Sequence, residues 1–235
     1  MPNLHEHQLL NAQALAGQLA MAVAARLHDA IQAHGSAALA VSGGKSPIAF
    51  FECLREQDID WHQVRITLVD DRCVPRDHGD SNALLVRTHL LQGLASAATF
   101  VPLVDEAGPA VPNLDTLTDR ARLQWTAVPR IDVMVLGMGD DGHTASLFPN
   151  AKALANGLDL GNSDRLIGVE PPGAPHLRIS ATLAEILAAE HIMVSLGGAA
   201  KQAVYQQALQ GVQDALPISH VLHAQHPSTH VWMHA

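Results

Sequence analysis

Between Gln8 and His34, Leu15, Leu19, Val23, Leu27 and Ile31 recur every four residues, which places them on one face of an amphipathic helix. Gly35 then supplies a natural stop. The pattern changes at Ala37 to Val41, a short unbroken apolar run that predicts a buried strand. It feeds the turn Ser42-Gly43-Gly44-Lys45-Ser46-Pro47 and then a helix to about Leu54. Val64 to Val69 repeats the strand pattern and delivers Asp70-Asp71-Arg72 to its C-terminal end. Asn82 to Leu91 reads as a helix starting near Ser81, Thr99 to Val101 as a short strand, Pro109 to Pro112 as surface loop, and Leu114 to Trp125 as helix. Ile131 to Leu136 predicts a strand ending in Gly137-Met138-Gly139, and Leu166 to Val169 another apolar run before the turn Pro171-Pro172-Gly173. Thr182 and Glu185 have the spacing of a helix capping box. The last predicted pair is a strand over His191 to Leu196 and a helix over Ala199 to Leu209, joined by Gly197-Gly198.

Strands and helices thus alternate, and several strands lack the period-two polarity of a half-exposed sheet. The expected fold class is α/β, a mostly parallel sheet with helices on both faces, Rossmann-like but without a dinucleotide fingerprint. In such sheets ligands gather beyond the C-terminal strand ends, where the loops just described lie. A chain of 235 residues suits one sizeable domain spanning 1–235. Hydrophobic residues make up 48% and aromatics only 3%, so Ala, Leu, Val and Ile must fill the core. The formal charge of -9 argues against broad binding to nucleic acid or an anionic membrane, while leaving room for a local cationic pocket. Cys53 and Cys73 are too few for a disulfide framework and lack zinc-site spacing, which suits a reducing compartment. The opening segment carries His5, Glu6 and His7 in place of a signal pattern, and no run is long and apolar enough to span a bilayer; the expected location is cytoplasmic.

Ser42-Gly43-Gly44-Lys45 can wrap backbone donors around an oxyanion, because glycine permits close approach and unusual dihedrals. The loop has neither the spacing of a nucleotide P-loop nor a G-x-G-x-x-G motif, and an ordinary strand-to-helix turn is the competing reading. Arg72 and Lys201 both lie just beyond predicted strands, so the sheet can bring them to the same rim; Lys45 and Arg178 are weaker candidates for that anion field. His143, in Gly137-Met138-Gly139-Asp140-Asp141-Gly142-His143-Thr144, follows a strand and can act as a base with Asp141 orienting its ring. Asp71 can bind sugar hydroxyls, compete for the role of base, or simply cap a loop. His220, His223, His226 and His230 form no zinc motif and read as a surface cluster.

These loops resemble the 6-phosphogluconolactonase family. The match runs through Ser42 to Pro47, Asp70-Asp71-Arg72-Cys73-Val74-Pro75, Ser81-Asn82 and Gly137 to Pro149, with Arg178-Ile179-Ser180 and the Gly198 and Lys201 region as later elements. The family commonly has Ser-Thr where this chain has Lys45-Ser46, and its usual acidic tail is not evident around Trp232. The resemblance implies hydrolysis of 6-phospho-D-glucono-1,5-lactone. Ser42, Gly43, Gly44, Arg72 and Lys201 would hold the phosphate, Asn82 and Asp71 would orient the sugar, and His143 with Asp141 would activate water. It implies no cofactor and no catalytic metal; oligomeric state stays open. Glucosamine-6-phosphate deaminases share the glycine turn and an Asp-Gly-His element, but Arg72 with Val74-Pro75 and the continuation Thr144-Ala145-Ser146-Leu147-Phe148-Pro149 differ from theirs. A noncatalytic sugar-phosphate sensor on the same scaffold is the third reading.

Overall fold

A helix covers its apolar face only where a partner surface exists, and the N-terminal helix of this chain packs on a second helix and on strands of the main sheet. The computed structural model describes residues 4–104, 113–226 and 228–234. Within it Leu4–Leu9 is a strand, β1, and the helix α1 runs Ala12–His34. The predicted helix start at Gln8 is therefore four residues early. Gln8 pairs in register with Met233 of a C-terminal strand, and Asn11 begins the helix by accepting the Ala14 N–H at 2.9 Å. Gly35 ends it at φ 76°, its N–H bonded to the Ile31 carbonyl at 2.8 Å. Leu15, Leu19, Val23 and Leu27 are buried; Ile31, at the same spacing, is half-buried.

The remaining elements follow as β2 (Ala37–Val41), α2 (Ile48–Leu54), β3 (Val64–Leu68), β4 (Asp70–Arg72), α3 (Asn82–His89), β5 (Thr99–Phe100) and α4 (Leu114–Trp125). The second half adds β6 (Val133–Gly137), α5 (Leu154–Leu158), β7 (Leu166–Val169), β8 (Arg178–Ala181), α6 (Leu183–Ala188), β9 (His191–Gly197), α7 (Ala199–Ala208), α8 (Ile218–Leu222) and β10 (Thr229–His234). The expected Pro109 to Pro112 loop lies outside the described residues. Seven strands form an all-parallel sheet in the order β1-β10-β9-β6-β2-β3-β5, flanked by helices. The α/β class and the parallel sheet are as the sequence predicts, and among the described residues no helix is long and apolar enough to cross a membrane.

Three features depart from expectation. Asp70-Asp71-Arg72 is itself a strand, β4, in a second antiparallel sheet of order β4-β8-β7. The capping box is only half made: Thr182 Oγ1 accepts the Glu185 N–H, but the Glu185 carboxylate turns to Arg165 at 2.6 and 2.8 Å. A half-buried guanidinium–carboxylate pair outcompetes a local backbone donor because both partners are charged. The C-terminal histidines do not cluster on the surface. His220 meets Asp214, His223 the Ala208 carbonyl, buried His226 the Ala189 carbonyl, and His230 stacks on His5 of β1.

The chain turns from β2 outward to β3 and β5 on one side, then places β6, β9 and β10 on the other. Strand order reverses between β2 and β6, and the loops leaving their C-terminal ends diverge there to open a crevice.

Candidate active site

The loop after β2 is the glycine turn and the loop after β6 carries His143. They are tied together at their roots: Ser42 N–H donates to the Val135 carbonyl at 3.0 Å, and Ser42 Oγ accepts the Gly137 N–H at 3.2 Å. Beyond this junction lies a cleft of about 300 Å³ whose walls include Ser42, Gly43, Gly44, Arg72, Asn82, His143, Arg178 and Lys201. Lys45 also reaches it.

One end of the cleft is cationic for a reason set by strand register. Arg72 of β4 and Arg178 of β8 are direct partners across the antiparallel pair. Like charges so placed repel. The Nε atoms of both are buried without a hydrogen-bond partner, and Arg178 is 7% exposed. Burial first, then the charge of Arg72, push the Arg178 pKa below its ordinary value, against the pull of Asp70 and Asp71. Asp70 Oδ2 stands 3.9 Å from Arg178 and 2.5 Å from Ser146 Oγ, so one carboxylate joins the arginine strand to the loop bearing His143. An anion between the two guanidinium groups would relieve the repulsion and satisfy the orphaned donors.

Asn82 forms another wall. Its Nδ2 donates to the Asp70 carbonyl at 2.9 Å, and a Cβ built on Gly43 would fall 1.9 Å from its Oδ1. Gly43 therefore has no room for any side chain, whereas Gly44, at φ 92°, is glycine for its backbone conformation.

Asp71 does not reach the cleft, which corrects its expected contact with the sugar. Its side chain is 1% exposed and accepts the N–H groups of Arg72, Asn82 and Ala83 at 2.8, 2.7 and 3.2 Å. It caps the first turn of α3, the third of the readings the sequence left open. Burial pushes its pKa up to about 6, although the backbone donors oppose the shift.

At the other end, the His143 ring packs over Gly139. A Cβ there would lie 2.2 Å from both Nδ1 and Cε1 of the imidazole. Asp141 Oδ1 takes the His143 backbone N–H at 3.1 Å and stands 2.5 Å from Nδ1. Partial burial raises the Asp141 pKa, but the charge and hydrogen bonds of His143 outweigh it and hold the carboxyl below its usual value. With Nδ1 engaged, Nε2 is the ring nitrogen left for chemistry. The Phe148 ring lies tilted against His143, 4.3 Å between centroids at 35°, and carries the Arg178 guanidinium 5.5 Å from its own centroid. Imidazole and guanidinium thus share one aromatic neighbour.

Lys201, in the first turn of α7, joins the cleft wall from β9's end of the sheet. Sequence reading missed Asp70 as a wall residue and Ser146 as its partner. Asp70 was visible only as the neighbour of Asp71, and strand alternation, which turns adjacent side chains to opposite faces, was the signal that could have separated them.

The model of the glucosamine-6-phosphate isomerase/6-phosphogluconolactonase family matches residues 10–232. A 6-phosphogluconolactonase of Pseudomonas putida is 44% identical over 218 residues, covering 92% of this chain and 88% of the relative. One of Neisseria meningitidis is 43% identical over 228 residues, covering 96% and 97%. The crystal structure of a 6-phosphogluconolactonase from Shewanella baltica superposes with a TM-score of 0.94 at 38% identity, covering 99% of this chain and 98% of that one.

Proposed function

This chain belongs to the glucosamine-6-phosphate isomerase/6-phosphogluconolactonase family, and from that premise we propose that it hydrolyses 6-phospho-D-glucono-1,5-lactone to 6-phospho-D-gluconate, a step of the pentose phosphate pathway. The observation that carries the reading is that one cleft is lined by the glycine turn, an arginine pair with orphaned Nε donors and a carboxylate-held imidazole.

The phosphate sits between Arg72 and Arg178, with Lys201 and the backbone of Ser42, Gly43 and Gly44 completing the anion field. Asn82 meets the sugar. This distal anchor spends its binding energy on placing the lactone carbonyl beside His143. His143 Nε2 takes a proton from water as the water oxygen bonds to C1, and Asp141 stabilises the resulting imidazolium. Collapse of the tetrahedral intermediate breaks the bond between C1 and the ring oxygen, which takes the proton from His143. The products balance as one lactone plus one water giving one acid, and the enzyme returns to its starting protonation state.

The test is incubation with freshly generated phosphogluconolactone, corrected for spontaneous hydrolysis. A saturable acceleration is expected. Tight binding without acceleration would make the protein a sensor, and ammonia release from glucosamine 6-phosphate would move it to the other activity of the family.

A further inference from the structure

Outside the catalytic cleft, two loops bring together the one group of potential metal ligands found among the described residues: His78 and Asp80 from the loop between β4 and α3, and His176 from the turn between β7 and β8. We propose that His78, Asp80 and His176 form a zinc site that clasps these two loops at the rim of the cleft.

The three ligand atoms all lie within 4.8 Å of one another. Asp80 Oδ2 stands 2.9 Å from His176 Nε2 and 3.8 Å from His78 Nδ1. Tetrahedral zinc with bonds of about 2.1 Å needs neighbouring ligands roughly 3.4 Å apart, so the observed pair of distances brackets the requirement. An Asp80 to His176 ion pair alone would not need His78, yet its ring meets that of His176 edge-on at 5.2 Å and 76°. His176 also holds φ at 69°, a left-handed conformation that costs a non-glycine residue energy and that presents its ring to Asp80 from 96 residues away.

Two imidazole nitrogens and one carboxylate oxygen suit zinc, which accepts mixed nitrogen and oxygen ligands; calcium and magnesium favour all-oxygen shells. Zinc would displace the Asp80 N–H from His78 Nδ1, where it now lies at 3.1 Å. The side chains of His78 and Asp80 are 42% and 54% exposed, so water can take over that donor at little cost. Three protein ligands leave a fourth position for water. The site is mechanically joined to the cleft, because the Asp80 carbonyl accepts Arg72 at 2.6 Å and the Cys73 N–H bonds the Leu177 carbonyl at 2.8 Å.

The experiment titrates the metal-free full-length protein with zinc chloride against a chromophoric chelator, in parallel with His78→Ala, His176→Ala and, as a control at the histidine-bearing edge of the main sheet, His5→Ala. One equivalent should bind with a micromolar or tighter Kd. Affinity should fall by at least about tenfold in each of the first two variants and stay unchanged in the control. All three positions are solvent-accessible, and unchanged circular dichroism will verify folding. Zinc-edge anomalous diffraction from a soaked crystal should place the ion between His78 and His176. Absence of binding, equal binding by both site variants, or an ion located elsewhere would overturn the proposal.

Discussion

Arg72 and Arg178 face each other across β4 and β8 as register partners, each with a buried Nε that has no acceptor. Folding brings two positive charges together here and offsets them in part with nearby carboxylates, of which Asp70 lies 3.9 Å from Arg178. Such an arrangement costs stability, which an anion bound between the two guanidinium groups would recover.

Replacing Arg72 with alanine should remove charge-assisted hydrogen bonds worth about 1.5–3 kcal/mol each, lowering kcat/KM on the phosphorylated lactone by roughly 10- to 150-fold. Hydrolysis of the unphosphorylated lactone should change little. Steady-state rates on the two substrates check this, and unaltered discrimination between them would count against the arginine pair as the phosphate holder.

His143→Ala should lower kcat by about 100- to 10,000-fold, the range for loss of a general base, while leaving product affinity nearly intact. Asp141→Asn should produce a smaller fall, because the ring keeps its place over Gly139 but loses the carboxylate at Nδ1. Kinetics paired with calorimetric binding of phosphogluconate separate the two effects; full turnover by folded His143→Ala would remove it from the mechanism.

Gly139→Ala is the more searching test of geometry. The added methyl would need the space of the imidazole, at 2.2 Å from two of its atoms, and would also lie 2.7 Å from Asp141 Oδ1. The ring must swing away, so kcat should drop by at least about tenfold with KM little changed, since a misplacement of about 1 Å is enough to spoil attack. A variant with wild-type kcat would show that the position of the ring is not critical.

His230 on β10 should give the sheet edge a pH dependence. Burial first, then the charges of His5 and His7, lower its pKa to about 4. The folded state therefore binds fewer protons than the unfolded chain between the ordinary histidine value of about 6.5 and about 4, and stability is present above that window and lost as pH falls through it. Hydrogen exchange of β1 amides, corrected for intrinsic rates, should show weaker protection at pH 5 than at pH 7, and His230→Phe should reduce the difference. Equal protection at both pH values would contradict the assignment.

The sequence by itself determined the local elements and the chemistry at their ends. Leu15 to Leu27 at four-residue spacing, the apolar run Ala37 to Val41 and the capping residue Ser81 each express a preference that needs only near neighbours, and each element forms where that preference lies. His143 and Asp141 were legible as a pair for the same reason, being two residues apart on one tight loop. Tertiary structure alone decided which distant groups meet. Leu4–Leu9 is a strand only because β10 offers it an open edge. Glu185 abandons its own helix for Arg165, Asp71 turns inward while Asp70 turns to the cleft, and Arg178 rises from a minor candidate to the partner of Arg72. These outcomes are fixed by strand register and by competition among charges for scarce buried partners, neither of which is encoded in the spacing of a single segment.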